Sequence, residues 1–210
     1  MIKTKSKIPV FFCIPDITGF TRFMTSVDHD FAHEFIPHLL QTLIKSNILE
    51  LSIAEIEGDA IFFYKTGRLP SVQKVALQCK VIYDTFNQFI ASYEKIDEKN
   101  YHKYLAHQEI GIKVIIHYGK ISISNIEGHF KLMGEDVILA HKLLKNSIQQ
   151  HNYILLSQQY TDKLRDKKVV KNWFNWDKLK KGTDHYEHFG TVFYHYIAFA
   201  DVKKLNKRKA

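Results

Sequence analysis

Two aspartates, Asp16 and Asp59, are the residues whose type and placement in this sequence could do chemistry. Asp16 follows a short apolar run, and Asp59 follows Gly58 at a predicted hairpin tip. Two carboxylates held close together repel each other, so one pKa rises unless a cation intervenes. Mg²⁺ prefers one or two carboxylates together with substrate phosphates and water. The pair predicts a metal–phosphate site; alternatively, Asp16 caps a helix and Asp59 is an ordinary turn residue.

The elements that must position these aspartates begin with an apolar, aromatic-rich strand over residues 8–14. Apolar residues then recur at helical spacing over 31–48, where Pro37 predicts a kink or an early break. Alternating and then continuous apolar residues over 49–65 predict a β-hairpin with a tight tip at Gly58–Asp59.

Further helices and strands are predicted from residue 71 onward. The strongest helix is predicted over 71–95 with Ser71 as its N-cap, and a polar loop over about 97–108 follows. The remaining predictions are a long strand or strand pair over 109–124 that turns near Gly119, a helix over 136–148, a strand over 152–157, and strands near 168–176 and 191–199.

The order β-α-β-β-α-β predicts an α+β fold with a ferredoxin-like core and a C-terminal α/β extension. We expect one domain over residues 1–210, with the core at about 8–156 and the extension at about 157–210. In this topology the first strand is antiparallel to the third. The end of the first strand therefore lies beside the start of the third, and Asp16 should face Asp59.

Four short segments, in the same order along the chain, resemble the catalytic domains of class III adenylate and guanylate cyclases. They are Asp-Ile-Thr-Gly-Phe-Thr at 16–21, Glu-Gly-Asp-Ala at 57–60, Ile-His-Tyr-Gly at 116–119, and Gly-Glu-Asp-Val at 134–137 followed by Ala140. The resemblance covers about residues 8–156. It implies a nucleoside triphosphate substrate, two Mg²⁺ or Mn²⁺ ions, attack of the ribose 3′-hydroxyl on the α-phosphate with release of pyrophosphate, and a head-to-tail homodimer.

The resemblance also assigns roles to individual residues. Asp16 and Asp59 would be the metal ligands, with the Ile17 carbonyl as a third. The loop beneath the phosphates would comprise Thr18, Gly19, Phe20 and Thr21.

Four residues at functionally important positions of this family are unusual in this sequence: two in the last motif and two where the nucleotide base is selected. Ile138 stands where an asparagine orients the ribose, and Lys142 stands where an arginine contacts the phosphate. Lys142 is either a weaker catalytic substitute or an ordinary solvated lysine. Glu55 and Lys131 occupy the base-selecting positions, where Glu55 either accepts hydrogen bonds from a guanine edge or pairs with Lys131. These residues do not identify the nucleotide base of the substrate.

The composition and charge of the chain limit the kinds of binding partner and the compartment that we expect. The net charge is +8, and residues 161–210 hold 13 Lys/Arg against 6 Asp/Glu. This basic segment is either an anion contact or a solvated face; without an aromatic-basic module, nucleic acid is not the expected partner. We find no apolar stretch of about 18 residues. Two cysteines make no disulfide framework, so a reducing cytoplasm is expected.

Three hypotheses for function follow from these observations. The chain is a metal-dependent nucleotide cyclase, a cyclase-fold module that binds a nucleotide or a protein without catalysis, or a basic nucleic-acid-binding domain.

Overall fold

The computed structural model describes residues 7–106, 110–164 and 178–202, and a mixed β-sheet forms its centre. The strands are β1 (Ile8–Thr18), β2 (Ser52–Glu57), β3 (Ala60–Thr66), β4 (Gly111–Ile126), β5 (His129–Met133), β6 (Tyr153–Ser157), β7 (Lys180–Tyr186) and β8 (Gly190–Ala198). Their order is β2-β3-β1-β4-β6-β8-β7, and β5 pairs with β4. The α+β fold and the antiparallel pairing of the first and third strands are as predicted.

The helices are α1 (Phe20–Ser26), α2 (His29–Lys45), α3 (Val72–Ile96), α4 (Glu98–Asn100), a π-helix (Tyr101–Leu105), α5 (Glu135–Leu144), α6 (Gln158–Thr161) and a 3₁₀-helix (Phe199–Asp201). The predicted cap of α3 is present, since the Ser71 hydroxyl accepts a hydrogen bond from the Lys74 N–H at 3.4 Å. Among the described residues, every helix is too short or too polar to cross a membrane.

The first strand is longer than predicted and continues through Pro15 and Asp16 to Thr18. Beyond Cys13, β1 pairs with β4 and no longer with β3, whose pairing covers Val10 to Cys13. At Pro15 the side of β1 that faces away from β4 is therefore a free edge of the sheet. Proline lacks an N–H, but at this edge no strand-to-strand hydrogen bond is lost. Asp16 accordingly lies within the strand, opposite a residue of β4, rather than at its end.

Several boundaries also differ from the predictions. Helix α2 continues through Pro37. Of the two alternatives for 109–124, the long strand is the one observed, since β4 runs through Gly119 and turns only at Glu127–Gly128. The predicted polar loop after α3 contains α4 and the π-helix, in which Tyr104 and Leu105 are buried. Helix α5 ends at Leu144, β7 was not predicted, and the strand predicted near 168–176 lies outside the described residues.

The sheet is covered on both faces, which explains why β1 is an almost continuous apolar run. Phe11 and Cys13 belong to a core shared with α2 and α3. Phe12 and Ile14 point to the opposite face, which packs against α5. Asp16 continues this second set of alternate positions, so its carboxylate is presented on the side of the sheet that α5 covers.

A buried polar array ties α5 to the sheet. His117 Nδ1 lies 2.9 Å from Ser157 Oγ, and His117 Nε2 lies 3.3 Å from Asp136 Oδ1. Burial raises the pKa of Asp136, but the adjacent His117 ring and the hydrogen bond from the Lys120 N–H outweigh it and hold that pKa below its ordinary value. Ser157 is fully buried and caps α6 through the Tyr160 N–H, so this Ser-His-Asp array is structural and not nucleophilic.

Gly119 allows Asp136 to reach this array. A Cβ built at Gly119 would overlap the Asp136 side chain. We expect Gly119→Ala to lower the free energy of unfolding by about 2 kcal/mol, which is a fall of about 4–8 °C in Tm for a chain of this length. Thermal melts monitored by circular dichroism measure it.

The control for this prediction is Ser124→Ala, at a half-buried position on the same strand. It should change Tm by less than about 2 °C. An unchanged Tm in Gly119→Ala would contradict the proposed close packing.

Candidate metal and phosphate site

The register of three strands brings the two aspartates together. Asp16 is 8% exposed within β1, and Asp59 lies in the two-residue turn between β2 and β3. The Ile17 N–H donates to Asp59 Oδ2 at 3.0 Å, which locks the hairpin tip against the first strand. Because Ile17 directly follows Asp16, this bond places the Asp59 carboxyl group beside Asp16, and both aspartates line the same cavity.

This proximity changes the ionisation of Asp59. Burial is the largest cause, the neighbouring Asp16 carboxylate adds to it, and together they raise the pKa of Asp59 to about 8. At neutral pH and without a bound cation, the pair therefore holds a proton on Asp59. A divalent cation bound between the two carboxyl groups would replace that proton and favour the ionised form of both.

A third charged residue, Lys113, completes the cluster. Lys113 lies opposite Asp16 in the antiparallel register of β1 and β4, so the two side chains share a face of the sheet. Its Nζ is 2.6 Å from Asp16 Oδ2, and its side chain is only 14% exposed. Sequence analysis missed Lys113, because the pairing register that identifies it was not predicted.

The raised pKa of Asp59 predicts a pH dependence of stability. The folded state retains a proton that the unfolded state releases near its ordinary value of 3.8, so this group stabilises the fold at low pH. That contribution is lost as pH rises from about 4 to about 8. Asparagine imitates the protonated acid and can still accept from Ile17. We therefore expect Asp59→Asn to become progressively more stable than wild type between pH 5 and pH 8.

Thermal melts in buffer with a metal chelator, at half-unit pH steps, measure this difference in Tm. The difference should level off above about pH 8. A difference that is constant over the range, or that shrinks with rising pH, would contradict the prediction.

A cavity of about 650 Å³ opens beside the carboxyl pair. Lys113 and Lys142 line this cavity. All seven residues predicted to bind metal or phosphate line it as well: Asp16, Ile17, Thr18, Gly19, Phe20, Thr21 and Asp59. Gly19 adopts a left-handed conformation (φ 76°) that favours glycine, and it ends the strand immediately before α1. The Thr18 hydroxyl donates to the His151 carbonyl at 2.8 Å, so that side chain anchors the loop.

The donor set fits a hard divalent cation that is shared with a phosphate. Among the described residues, no three His, Cys, Asp or Glu side chains are grouped to hold a metal ion by themselves. Two adjacent carboxylates, with further oxygen ligands from phosphate and water, are the arrangement that Mg²⁺ uses in phosphate sites. The cavity lining carries four Lys/Arg and three Asp/Glu. When Asp16 and Asp59 are both ionised, they would repel a polyphosphate unless a divalent cation neutralised them.

A second cavity, of about 590 Å³, contains the two predicted base-selecting residues. Glu55, Lys131 and Ile138 all line it. Glu55 is held by His141, whose Nε2 lies 3.0 Å from Glu55 Oε1 and whose Nδ1 lies 2.9 Å from Glu57 Oε2. The His141 ring stacks on Phe62 and lines both cavities, and sequence analysis did not identify it.

Solved structures of nucleotide cyclase domains share this fold. The guanylyl cyclase Cya2 aligns with a TM-score of 0.65 and 14% identity over 97% of this chain and 96% of its own. The adenylyl cyclase CyaB from P. aeruginosa gives 0.57 and 13% over 98% and 99%. The guanylate cyclase domain of RhGC from Catenaria anguillulae, solved in complex with GTP, gives 0.56 and 15% over 91% and 96%. At these identities the likeness concerns the fold alone.

Sequence comparison gives two further matches. The family described as "Protein of unknown function (DUF2652)" matches residues 36–153, which is more than half of the chain. The "Uncharacterized protein Rv2561/Rv2562" of Mycobacterium tuberculosis (strain ATCC 25618 / H37Rv) is 28% identical over 109 residues, 51% of this chain. The matched segment spans about half of that relative's length.

Proposed function

The chain belongs to the family of proteins of unknown function DUF2652, and we propose that it binds a nucleoside triphosphate with Mg²⁺ or Mn²⁺ and converts it to a 3′,5′-cyclic nucleotide with release of pyrophosphate. One observation carries this proposal: Asp16 and Asp59 line one cavity together with the 18–21 loop, and the Ile17 N–H holds Asp59 against the first strand. The fold of nucleotide cyclases supports it.

Asp16 and Asp59 would hold the metal ions, with the Ile17 carbonyl as an additional ligand. When bound, divalent cations neutralise phosphate charge and activate an attacking hydroxyl. The chain's own task is to bind and orient the triphosphate. The backbone of Thr18 to Thr21 can approach the phosphates because Gly19 has no side chain, and Lys142 at the cavity wall contributes positive charge.

The base would be read in the second cavity. Glu55 offers acceptor oxygens and Lys131 offers a donor, so the site is polar at its rim. Ile138 contributes an apolar surface that is 52% exposed, and Phe130 beside it is 71% exposed. Exposed apolar side chains around a polar cavity are typical of a surface that a partner covers.

We place a second copy of this chain on that surface, so that the base cavity of one subunit serves the phosphate cavity of its partner. Sedimentation equilibrium of the wild-type protein with a nucleotide and Mn²⁺ tests this arrangement. A mass twice that of one chain is expected, whereas a monomer under turnover conditions would exclude a shared site.

The test of the proposed reaction is a product screen on one preparation. ATP, GTP, CTP and UTP are each incubated with Mn²⁺, cyclic nucleotide is separated by chromatography, and pyrophosphate is measured in parallel. One triphosphate is expected to yield both products in equal amounts. Binding without product would indicate a nucleotide-binding module instead, and neither binding nor product with any triphosphate would overturn the proposal.

A further inference from the structure

We infer that Lys113 is a built-in competitor of the divalent cation, which keeps the carboxyl pair closed to free metal until a phosphate-bearing ligand arrives. This inference rests on the proposed function, because it concerns the same carboxyl pair. It goes beyond that function because it makes Lys113 the residue that decides the order in which metal and substrate bind.

The geometry places the lysine against one of the two carboxyl groups that would hold the cation. Lys113 Nζ contacts Asp16 Oδ2 at 2.6 Å, and both side chains are largely withdrawn from water. The charge of Lys113 also acts on Asp59, the second member of the pair. The three groups therefore form one small cluster at the wall of the cavity, in which an ammonium already neutralises part of the carboxylate charge.

A divalent cation and the Lys113 ammonium compete for Asp16 Oδ2. Mg²⁺ binds carboxylate oxygens at about 2.0–2.1 Å, so a cation on Asp16 Oδ2 would lie within a few ångströms of the ammonium. Two positive charges at that separation repel strongly in a partly buried site. Lys113 must therefore leave Asp16 when the metal binds.

Departure of the lysine requires a new partner for its charge. An unpaired ammonium in a site that is mostly hidden from water is costly. The cavity offers room for an anion beside the lysine. A polyphosphate supplies negative charge for Lys113 and oxygen ligands for the metal together, so free metal should bind weakly and metal with polyphosphate should bind well.

Titration of the full chain with Mn²⁺ alone, followed by the loss of the free-ion signal in electron paramagnetic resonance, tests this inference without any turnover. Wild type should bind free Mn²⁺ weakly and should bind the Mn²⁺–tripolyphosphate complex about tenfold or more tightly. Because that complex has no free-ion signal of its own, this second arm measures the protein-bound Mn²⁺ after ultrafiltration. Lys113→Met removes the charge but retains most of the side-chain volume. It should bind free Mn²⁺ about tenfold or more tightly than wild type.

Two further variants keep the test decisive. Lys113→Arg retains the positive charge and should remain within about threefold of wild type. Lys145→Met removes an exposed lysine from the same cavity and should have a similarly small effect. If Lys113→Met does not fold, Lys113→Gln replaces it with the same expectation.

The outcomes separate this inference from the proposed function. Unchanged or weaker binding of free Mn²⁺ in Lys113→Met, with wild-type turnover intact, would overturn the competitor role and leave the proposed function in place. Absence of Mn²⁺ binding in every variant, even with tripolyphosphate, would overturn both.

Discussion

Replacing Asp16 or Asp59 by asparagine is expected to lower the Mn²⁺-dependent turnover of the preferred triphosphate by at least about 10²-fold. Asparagine keeps the size of the side chain, but it has no negative charge to hold a cation. Because the two carboxyl groups lie together beside one cavity, either replacement removes half of the proposed metal site. Measurement of pyrophosphate release at saturating nucleotide gives the effect directly.

Binding gives a second measurement of the same prediction, independent of the rate. A ligand present at about 100 times its Kd stabilises the folded state by about 2.7 kcal/mol, which corresponds to about 5–10 °C in Tm for this chain length. Wild type with nucleotide and Mn²⁺ should show this gain, and both variants should lose most of it. Asp84→Asn, which removes a carboxylate paired with Lys80 on the surface of α3, is the matched control. Retention of the full gain in Asp16→Asn would contradict a role for the pair in metal binding.

The sequence was sufficient to predict that Asp16 and Asp59 are neighbours. That prediction required only the order of the elements and the turn at Gly58, because a ferredoxin-like topology places the first and third strands side by side. Local signals also identified the N-cap at Ser71 and the hairpin, since both depend on residues within a few positions of each other. These are the parts of the fold in which near neighbours in sequence decide the structure.

Features that depend on long-range register could not be read in the same way. Lys113 meets Asp16 because β4 pairs with β1 in one particular alignment, and a shift by one residue would turn the lysine to the opposite face. His141 joins Glu55 and Glu57 only because α5 packs against the β2–β3 hairpin. β1 can likewise extend through Pro15 because its pairing with β3 stops at Cys13 of β1.

The double variant Ile138→Asn with Lys142→Arg is expected to raise turnover by about 10²-fold or more relative to wild type. The two positions are one helical turn apart on α5, a separation of about 6 Å along the axis. Ile138 lines the second cavity, and Lys142 lines the first, so in the proposed dimer this helix takes part in both substrate sites. An asparagine adds a donor and an acceptor beside the base site, and an arginine adds a planar fork beside the phosphate.

Each single variant should give a smaller increase, because one group acts on the ribose and the other on the phosphate. The matched control, Ile138→Ser with Lys142→Ala, changes the same positions without adding the amide and guanidinium donors, and no increase is expected from it. Comparison of kcat and KM locates the effect: donors that act in the transition state raise kcat while KM stays nearly constant. A double variant that binds nucleotide and Mn²⁺ like wild type, yet turns over no faster, would show that these two departures do not limit the reaction. An increase confined to kcat would mean that the carboxyl pair is already competent, and that the rate is limited by the donors which α5 presents to the substrate.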